Sequence, residues 1–139
     1  MSSKEPIYEG ECHCGRVRYR ILGPLEELSH CHCTDCQKSH GAAFATYAGV
    51  PRGRFTFLTG EDQLRTYQAK SGTRRSFCPT CGSNITGESD RWPGEIYVAI
   101  GTLTTPPQWK KIVHYFVRSK VCWYNIEDDF LRHAAYPRD

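Results

Sequence analysis

The chain has 139 residues, of which 39% are hydrophobic and 24% are charged, and its formal net charge is +3 at pH 7. This length predicts one domain over residues 1–139, with a core at about residues 10–124. No apolar run approaches the ~20 residues of a membrane span, which argues against a spanning helix. The N-terminal residues 1–6 carry no apolar signal-peptide core, so we expect a cytoplasmic location with reduced cysteines.

Alternating apolar and charged residues predict the clearest strand at residues 15–22. There Val17, Tyr19 and Ile21 alternate with three arginines, which we interpret as the solvated face of the strand. Short strands separated by turn residues predict a mainly β fold class, with short helical turns. The six further strands are predicted at residues 44–50, 55–59, 64–68, 74–77, 96–101 and 112–117.

One short helix is predicted in the second cysteine-rich segment. Thr34 and Gln37 have the spacing of a capping box, and Gly41 is a natural helix end. Cys36 would then lie in the first turn, where the helix dipole favours a thiolate. A second helical turn is predicted after Glu127.

Seven of the eight cysteines form three clusters, Cys12-x-Cys14, Cys31-x-Cys33-x-x-Cys36 and Cys78-x-x-Cys81. Zinc needs thiolates in a tetrahedron, and residues one or two positions apart supply two ligands from one short segment. The first and third clusters can close one four-cysteine site and leave the middle cluster with an open fourth position. Other pairings of the clusters are also compatible with the spacing. We favour metal over disulfides because these spacings suit chelation.

Four histidines lie near or between these clusters, and a fifth, His114, falls on a predicted strand. His30 could complete the middle site as a fourth ligand, which would close it. His13 and His32 lie between ligand cysteines, so we expect their side chains to point away from the metal. His40 is interpreted as a favourable cation at the helix end, and His114 as a packed structural residue.

Other polar and aromatic residues are mainly given structural interpretations. Asp35 could act as an acid–base group, although capping or solvent exposure is favoured. Cys122 is expected to be a buried core thiol. Core or rim packing is expected first for the aromatic residues Tyr97, Trp109, Phe116 and Trp123, although any of them could also line a pocket.

The motifs resemble, in order, those of a known family over residues 10–123. They are GECHCGRVRY at residues 10–19, CHCTDCQKSHGA at 31–42, RSFCPTCGS at 75–83, and HYFVRSK at 114–120 followed by Trp123. This pattern is similar to the glutathione-dependent formaldehyde-activating enzymes, also called S-(hydroxymethyl)glutathione synthase-like, a family that includes centromere protein V.

The resemblance implies a β-tent fold similar to methionine sulfoxide reductase B. It implies two zinc ions per chain, one structural and one at the active site. The structural ligands would be Cys12, Cys14, Cys78 and Cys81. The second zinc would be held at the catalytic residues Cys31, Cys33 and Cys36.

These residues lead to a hypothesis of zinc-dependent carbon–sulfur chemistry. An open position on a three-thiolate zinc could bind the sulfur of glutathione beside an aldehyde. The predicted activity is therefore a carbon–sulfur lyase or synthase acting on glutathione, or other thiol, adducts of formaldehyde or a related small aldehyde. Glutathione is anionic, so Lys38 and Arg75, which adjoin the cysteine motifs, are candidate substrate-binding cations; each also fits a solvated surface charge.

The alternative is a non-catalytic zinc-binding module or thiol-adduct carrier that acts through a protein partner. Seven thiolates with two Zn²⁺ ions would cancel the formal charge of +3, so no cationic surplus is left for nucleic acid. Neither a nucleic acid nor a membrane is therefore expected as a partner.

Overall fold

The computed structural model describes residues 5–136, which form short strands, one α-helix (α1, Thr34–His40) and single 3₁₀ turns. Residues 1–4, which were part of the argument against a signal peptide, lie outside this range. Among the described residues no helix is long and apolar enough to cross a membrane. The strands are β1 (Ile7–Glu11), β2 (Arg18–Leu22), β3 (Glu27–Cys31), β4 (Ala45–Pro51), β5 (Phe55–Thr59), β6 (Arg65–Gln68), β7 (Thr73–Phe77), β8 (Asn84–Ser89), β9 (Glu95–Ala99), β10 (Lys111–Tyr115) and β11 (Leu131–Arg132).

All seven strands predicted from sequence are present, as β2, β4, β5, β6, β7, β9 and β10, and the mainly β fold class is confirmed. The other four strands lack a clean apolar–polar alternation. In β8, for example, Ile85, Thr86 and Gly87 are buried in succession. The helical turn predicted after Glu127 is wrong, because the chain there runs without helix into β11, which pairs with β10.

The strands form a small sheet of order β1-β2-β5 and a large sheet of order β11-β10-β3-β4-β9-β8-β7-β6. Neighbours are antiparallel except at β10, which runs parallel to both β3 and β11. The main core lies between the sheets, where Tyr19 and Ile21 of the small sheet share a buried cluster with Ile85 and Val98 of the large sheet. The β-tent assignment and the similarity to methionine sulfoxide reductase B stay predictions.

The charged face of β2 is solvated, as the alternation indicates. Arg20 donates hydrogen bonds to the carboxylate of Glu9 on β1, the shorter being 2.7 Å, and Arg18 lies 3.8 Å from Glu11. These arginines are therefore matched by carboxylates on the neighbouring strand, which fits a solvated ion-pair face better than an anion site.

The face of the large sheet opposite the core carries a second, smaller cluster of buried side chains. Because side chains alternate across a strand, Ala48 and Val98 point into the core while Tyr47 and Tyr97 point the other way. Tyr97 is paired with Gly49 on β4. A Cβ added to Gly49 would lie 2.7 Å from the Tyr97 ring, so the missing side chain makes room for that ring.

Candidate metal centres and the cysteine cleft

Four cysteines from distant segments meet at one end of the two sheets. Cys12 and Cys14 follow β1, whereas Cys78 and Cys81 follow β7. Their sulfur atoms all lie within 4.8 Å of one another, with 3.6 Å between Cys12 and Cys14 and 3.8 Å between Cys14 and Cys78. Sulfurs arranged tetrahedrally around zinc at its usual bond length would lie about 3.8 Å apart. The cluster therefore fits a closed four-thiolate metal site.

Hydrogen bonds shape the loops around these sulfurs. The Cys12 N–H donates to the Val17 carbonyl at 3.0 Å, and the Val17 N–H donates to Cys12 Sγ at 3.3 Å. The His13 N–H donates to Ser83 Oγ at 3.0 Å, which joins the two loops. The hydrogen bond from the Ser83 side chain lowers the pKa of Cys81 to about 5. This thiol is therefore ready to bind a metal as thiolate.

Three further cysteines come together around the start of α1. Cys31 is the last residue of β3, Cys33 precedes the helix, and Cys36 lies in its first turn. Their sulfur atoms also lie within 4.8 Å of one another, and the Cys31 thiol donates to Cys33 Sγ at 3.4 Å. These distances again fit tetrahedral thiolate ligands. Over residues 5–136 no fourth His, Cys, Asp or Glu joins the cluster, so a metal held there would keep an open position.

The helix begins differently from the predicted capping box. Cys33, not Thr34, is the N-cap residue, and its sulfur accepts the Cys36 N–H at 3.3 Å. Gln37 does not complete a box but donates its side-chain N–H groups to two backbone carbonyls outside the helix. The capping-box prediction was wrong because the helix is capped by the sulfur of Cys33, which also belongs to the cysteine cluster. The predicted end at Gly41 is confirmed by its left-handed φ of 59°.

The charge on this cluster is balanced by an arginine from β7. Hydrogen bonds from Cys31 and Cys36 hold the pKa of Cys33 well below its ordinary value, and the contact with Cys33 raises the pKa of Cys31. Sulfurs this close resist sharing several negative charges without a cation. The buried Arg75 supplies one such cation, because its Nη2 donates to Cys36 Sγ at 3.5 Å.

Arg75 also begins a short chain of hydrogen bonds away from the cluster. Its Nη1 donates to the Tyr47 hydroxyl at 3.0 Å, and that hydroxyl is 2.6 Å from His40 Nε2. Burial raises the pKa of Tyr47 to about 12, and burial followed by the charge of Arg75 lowers the pKa of His40. Both groups are therefore neutral at pH 7, and the Tyr47 hydroxyl bridges the guanidinium of Arg75 and the imidazole of His40.

A second chain of hydrogen bonds anchors His32, the residue between Cys31 and Cys33. His32 Nε2 lies 2.8 Å from His114 Nδ1, and His114 Nε2 lies 3.0 Å from the Asp128 carboxylate. Burial, followed by the charge of His114, lowers the pKa of His32 to about 4. Both imidazole rings are buried, so the pair fixes the ring of His32 away from the sulfurs. His32 Nδ1 has no hydrogen-bond partner within residues 5–136.

The three-cysteine cluster opens onto a cleft of about 780 Å³, a volume typical of small-molecule sites. The cleft lies on the face of the large sheet that carries Tyr47 and Tyr97. A smaller hollow of about 430 Å³ lies between β5 and the β6–β8 strands and contains no cysteine. The chemistry predicted from the cysteines therefore belongs to the larger cleft.

Asp35 lines this cleft, whereas His30, Lys38 and Cys122 do not. Asp35 is exposed on its lining, whereas Lys38 is exposed on α1 outside the lining. His30 does not join the cysteines, and its Nδ1 is 2.7 Å from Thr46 Oγ1. The expectation that Cys122 is a buried core thiol is wrong, because Cys122 is exposed in a surface turn.

The sequence allowed a pocket role for four aromatic residues but did not show which of them have it. Tyr97 and Phe116 line the cleft, whereas Trp109 and Trp123 are largely exposed. Tyr47 was not singled out at all, although it alternates with the core residues of β4. That alternation could have placed Tyr47 opposite the core, but only the strand register shows that it meets the cysteines.

The sequence matches known proteins over most of its length. The family model described as glutathione-dependent formaldehyde-activating enzyme matches residues 7–119. A Halomonas elongata protein provisionally named a glutathione-dependent formaldehyde-activating enzyme is 30% identical over 130 residues, covering 87% of this chain and 82% of the relative. A Schizosaccharomyces pombe protein named an uncharacterized lyase is 25% identical over 80 residues, covering 58% of this chain and 56% of the relative.

A solved structure shares the fold. The crystal structure of a Rhodobacter sphaeroides protein matches with a TM-score of 0.60 at 23% identity, covering 73% of this chain and 98% of that protein. At this identity the likeness concerns the fold alone.

Proposed function

Because this chain belongs to the glutathione-dependent formaldehyde-activating enzyme family, we propose that it is a zinc-dependent carbon–sulfur lyase or synthase acting on glutathione adducts of formaldehyde or a related small aldehyde. The names of the two relatives, one a formaldehyde-activating enzyme and one a lyase, support this class of chemistry. The observation that carries the proposal is the three-cysteine cluster, which has an open side facing a cleft of small-molecule size.

The two cysteine clusters have different parts in this proposal. Cys12, Cys14, Cys78 and Cys81 would hold a structural zinc, and Cys31, Cys33 and Cys36 would hold the zinc of the active site. Zinc with an open position deprotonates a thiol that binds to it, which is useful because a free thiol with a pKa near 8.5 is mostly protonated at neutral pH.

Residues beside the cluster would stabilise the charge that develops on the aldehyde oxygen. When the glutathione sulfur attacks the carbonyl carbon, a carbon–sulfur bond forms and the carbonyl oxygen gains negative charge before it takes up a proton. The reverse reaction removes that proton and breaks the same bond. Arg75 lines the cleft next to Cys36, and we assign to it the stabilisation of the developing oxygen charge, with Tyr47 holding its guanidinium in place.

Recognition of glutathione needs cations for its two carboxylates. Arg75 keeps some unused N–H donors although it contacts Cys36 and Tyr47, and it lines the cleft. Lys38, the second candidate from the sequence, would need to reach in from outside the lining. Arg118 lines the cleft and is exposed, so we add it as a candidate for a glutathione carboxylate.

Metal analysis with sulfur-sensitive X-ray absorption tests binding. We expect two zinc ions per chain, and we expect glutathione to add one sulfur to the coordination shell of the three-cysteine site. The Cys36→Ser variant should lose this response, whereas Cys122→Ser, an exposed thiol outside both clusters, should retain it. Two zinc ions with shells indifferent to glutathione would contradict the proposed mechanism.

Exchange NMR with ¹³C-formaldehyde and glutathione tests catalysis. The wild type should accelerate interconversion of free aldehyde and S-(hydroxymethyl)glutathione. Arg75→Met should lower the acceleration by about 10²-fold, the usual cost of a lost oxyanion donor, while the zinc content stays unchanged. Glutathione binding without any acceleration would favour the alternative of a thiol-adduct carrier.

A further inference from the structure

One wall of the cysteine cleft is formed by a continuous group of aromatic rings centred on Tyr136. Its ring centroid lies 4.7 Å from Phe116, 5.9 Å from Trp92 and 6.4 Å from Tyr115. The guanidinium of Arg91 lies 4.4 Å from the Tyr136 ring. All of these residues line the cleft, and they come from three separate segments of the chain. We call Trp92, Tyr115, Phe116 and Tyr136 the aromatic wall.

Two tyrosine hydroxyls at the cleft, those of Tyr115 and Tyr97, are already hydrogen-bonded to the protein. The Tyr115 hydroxyl donates to the Glu27 carboxylate at 2.8 Å, and the Tyr97 hydroxyl donates to Glu95 at 3.1 Å. These bonds fix the two rings and direct their polar ends to protein carboxylates. Arg91 contacts the Tyr136 ring and His133 stacks on the Tyr115 ring, so part of the wall is covered by the protein itself. With these two hydroxyls engaged, what the wall offers a ligand is mainly ring carbon, which favours an apolar or aromatic group.

The backbone at Phe116 supports a binding role for the wall. Phe116 has a φ of 61°, which makes it the one non-glycine residue in the left-handed region over the described range. A side chain is disfavoured there, and such strain persists where the surrounding structure fixes it, often at ligand sites. Here the next N–H, of Val117, donates to the His133 carbonyl at 3.1 Å, so the C-terminal segment holds the Phe116 backbone in place.

Neither glutathione nor formaldehyde has a group that would pack on such a wall. Glutathione has no aromatic ring, and formaldehyde adds only a hydroxymethyl group to its sulfur. We propose that the preferred substrates are glutathione adducts of aromatic aldehydes, whose aryl group packs on the aromatic wall while the sulfur lies at the three-cysteine cluster. This inference rests on the proposed function and names its substrate class.

The covalent step needs no further reactant. In the forward direction the glutathione sulfur bonds to the carbonyl carbon of the aryl aldehyde, and the thiol proton ends on the carbonyl oxygen to give a thiohemiacetal. In the reverse direction the carbon–sulfur bond breaks, the carbonyl re-forms, and the proton returns to sulfur. Nothing is oxidised or reduced.

Calorimetry with two stable thioethers, S-methylglutathione and S-benzylglutathione, tests the inference on the zinc-loaded protein. Burial of a phenyl ring against aromatic side chains should make the benzyl compound bind at least about tenfold more tightly. Phe116→Ala and the milder Phe116→Leu should both reduce this ratio. Trp123→Ala removes a ring that is 70% exposed and outside the cleft lining, and should leave the ratio unchanged.

The outcomes separate this inference from the proposed function. Equal affinities for the two thioethers, no binding of either, or a benzyl preference that survives both Phe116 variants would overturn the aromatic-wall assignment. The proposed function is tested separately by whether free glutathione adds a sulfur to the metal shell, because the thioethers have no thiol to donate. If S-benzylglutathione is preferred but free glutathione adds no sulfur to the metal shell, the aryl site is retained and the zinc–thiol mechanism is rejected.

Discussion

The phenol of Tyr19 is fully buried between the two sheets, and its hydroxyl shares a 2.6 Å hydrogen bond with Thr102 Oγ1. Burial raises the pKa of Tyr19 to about 12, above the value of 10.0 that an exposed tyrosine has. The folded state therefore favours the neutral phenol. Its contribution to stability is fully present below pH 10 and is lost as the pH rises from 10 towards 12.

We expect the free energy of unfolding to fall between pH 10 and 12, with Tyr19 contributing about 1.4 kcal/mol per pH unit. The Tyr19→Phe variant should be less stable at neutral pH by about 1 kcal/mol, because it removes one of the two hydrogen bonds of the Thr102 hydroxyl, which keeps its bond to the Ala99 carbonyl. It should also show a shallower alkaline slope. Urea unfolding at several pH values measures both. Tyr67→Phe, at a ring that is 63% exposed, is the control and should leave the slope unchanged. Equal slopes for Tyr19→Phe and wild type would contradict this account.

At single residues, spacing predicted which cysteines approach each other, but not what else they contact. The grouping of seven cysteines follows from CxC and CxxC spacing alone, because each short segment can present two sulfurs to one point. By contrast, the contact between Arg75 and Cys36 joins residues 39 positions apart and depends on strand register. The exposure of Cys122 could not be predicted either, because an apolar neighbour such as Trp123 does not show whether a turn is buried.

The pairing of β4 with β9 sets the floor of the cleft, and Gly49 is the position on which it depends. A methyl group at Gly49 would overlap the Tyr97 ring, whereas one at Gly53, in the exposed turn after β4, would meet nothing within 4 Å. We expect Gly49→Ala to destabilise the fold by about 1–3 kcal/mol and to displace Tyr97 into the cleft.

Thermal melting and thioether binding test the Gly49 prediction together. Gly49→Ala should lower both Tm and affinity for S-benzylglutathione, while Gly53→Ala should change neither appreciably. If Gly49→Ala melts and binds like the wild type, then the close approach of Tyr97 to β4 does not shape the cleft.

At the scale of elements, the strands with alternating residues were predictable and their partners were not. β2 is predictable because buried and charged side chains strictly alternate in it. β3 is not, because its Glu27, Ser29, His30 and Cys31 are all partly buried. The parallel pairing of β10 with β3 joins segments about 80 residues apart, and no local pattern in a single sequence indicates it. That pairing places Tyr115 beside Cys31, and so part of the aromatic wall beside the cluster.

In the molecule as a whole, the two cysteine clusters have unequal mechanical roles. The four-cysteine cluster joins the end of β1 in the small sheet to the end of β7 in the large sheet. The three-cysteine cluster joins β3 to the helix that directly follows it. Loss of the metal proposed for the first cluster should therefore separate the sheets, whereas loss of the metal proposed for the second should disturb only one loop and the cleft.

We expect Cys78→Ser to unfold the protein at 25 °C, because structural zinc contributes about 10–16 kcal/mol of binding free energy, comparable to the whole stability of a domain. Cys36→Ser should lose one zinc yet keep a cooperative melt. Circular dichroism melts combined with metal analysis distinguish the two variants, and Cys122→Ser is the matched control outside both clusters. Similar loss of Tm in Cys78→Ser and Cys36→Ser would show that both sites hold the fold together.

Tyr97 and Val98 are neighbours in β9, yet one lines the cleft and the other is buried between the sheets. The same holds along β4 for Tyr47 and Ala48. A substitution on one side of these strands can therefore alter the shape of the cleft while leaving the packing on the other side intact. The cleft of this chain can in this way be reshaped one residue at a time without loss of the fold.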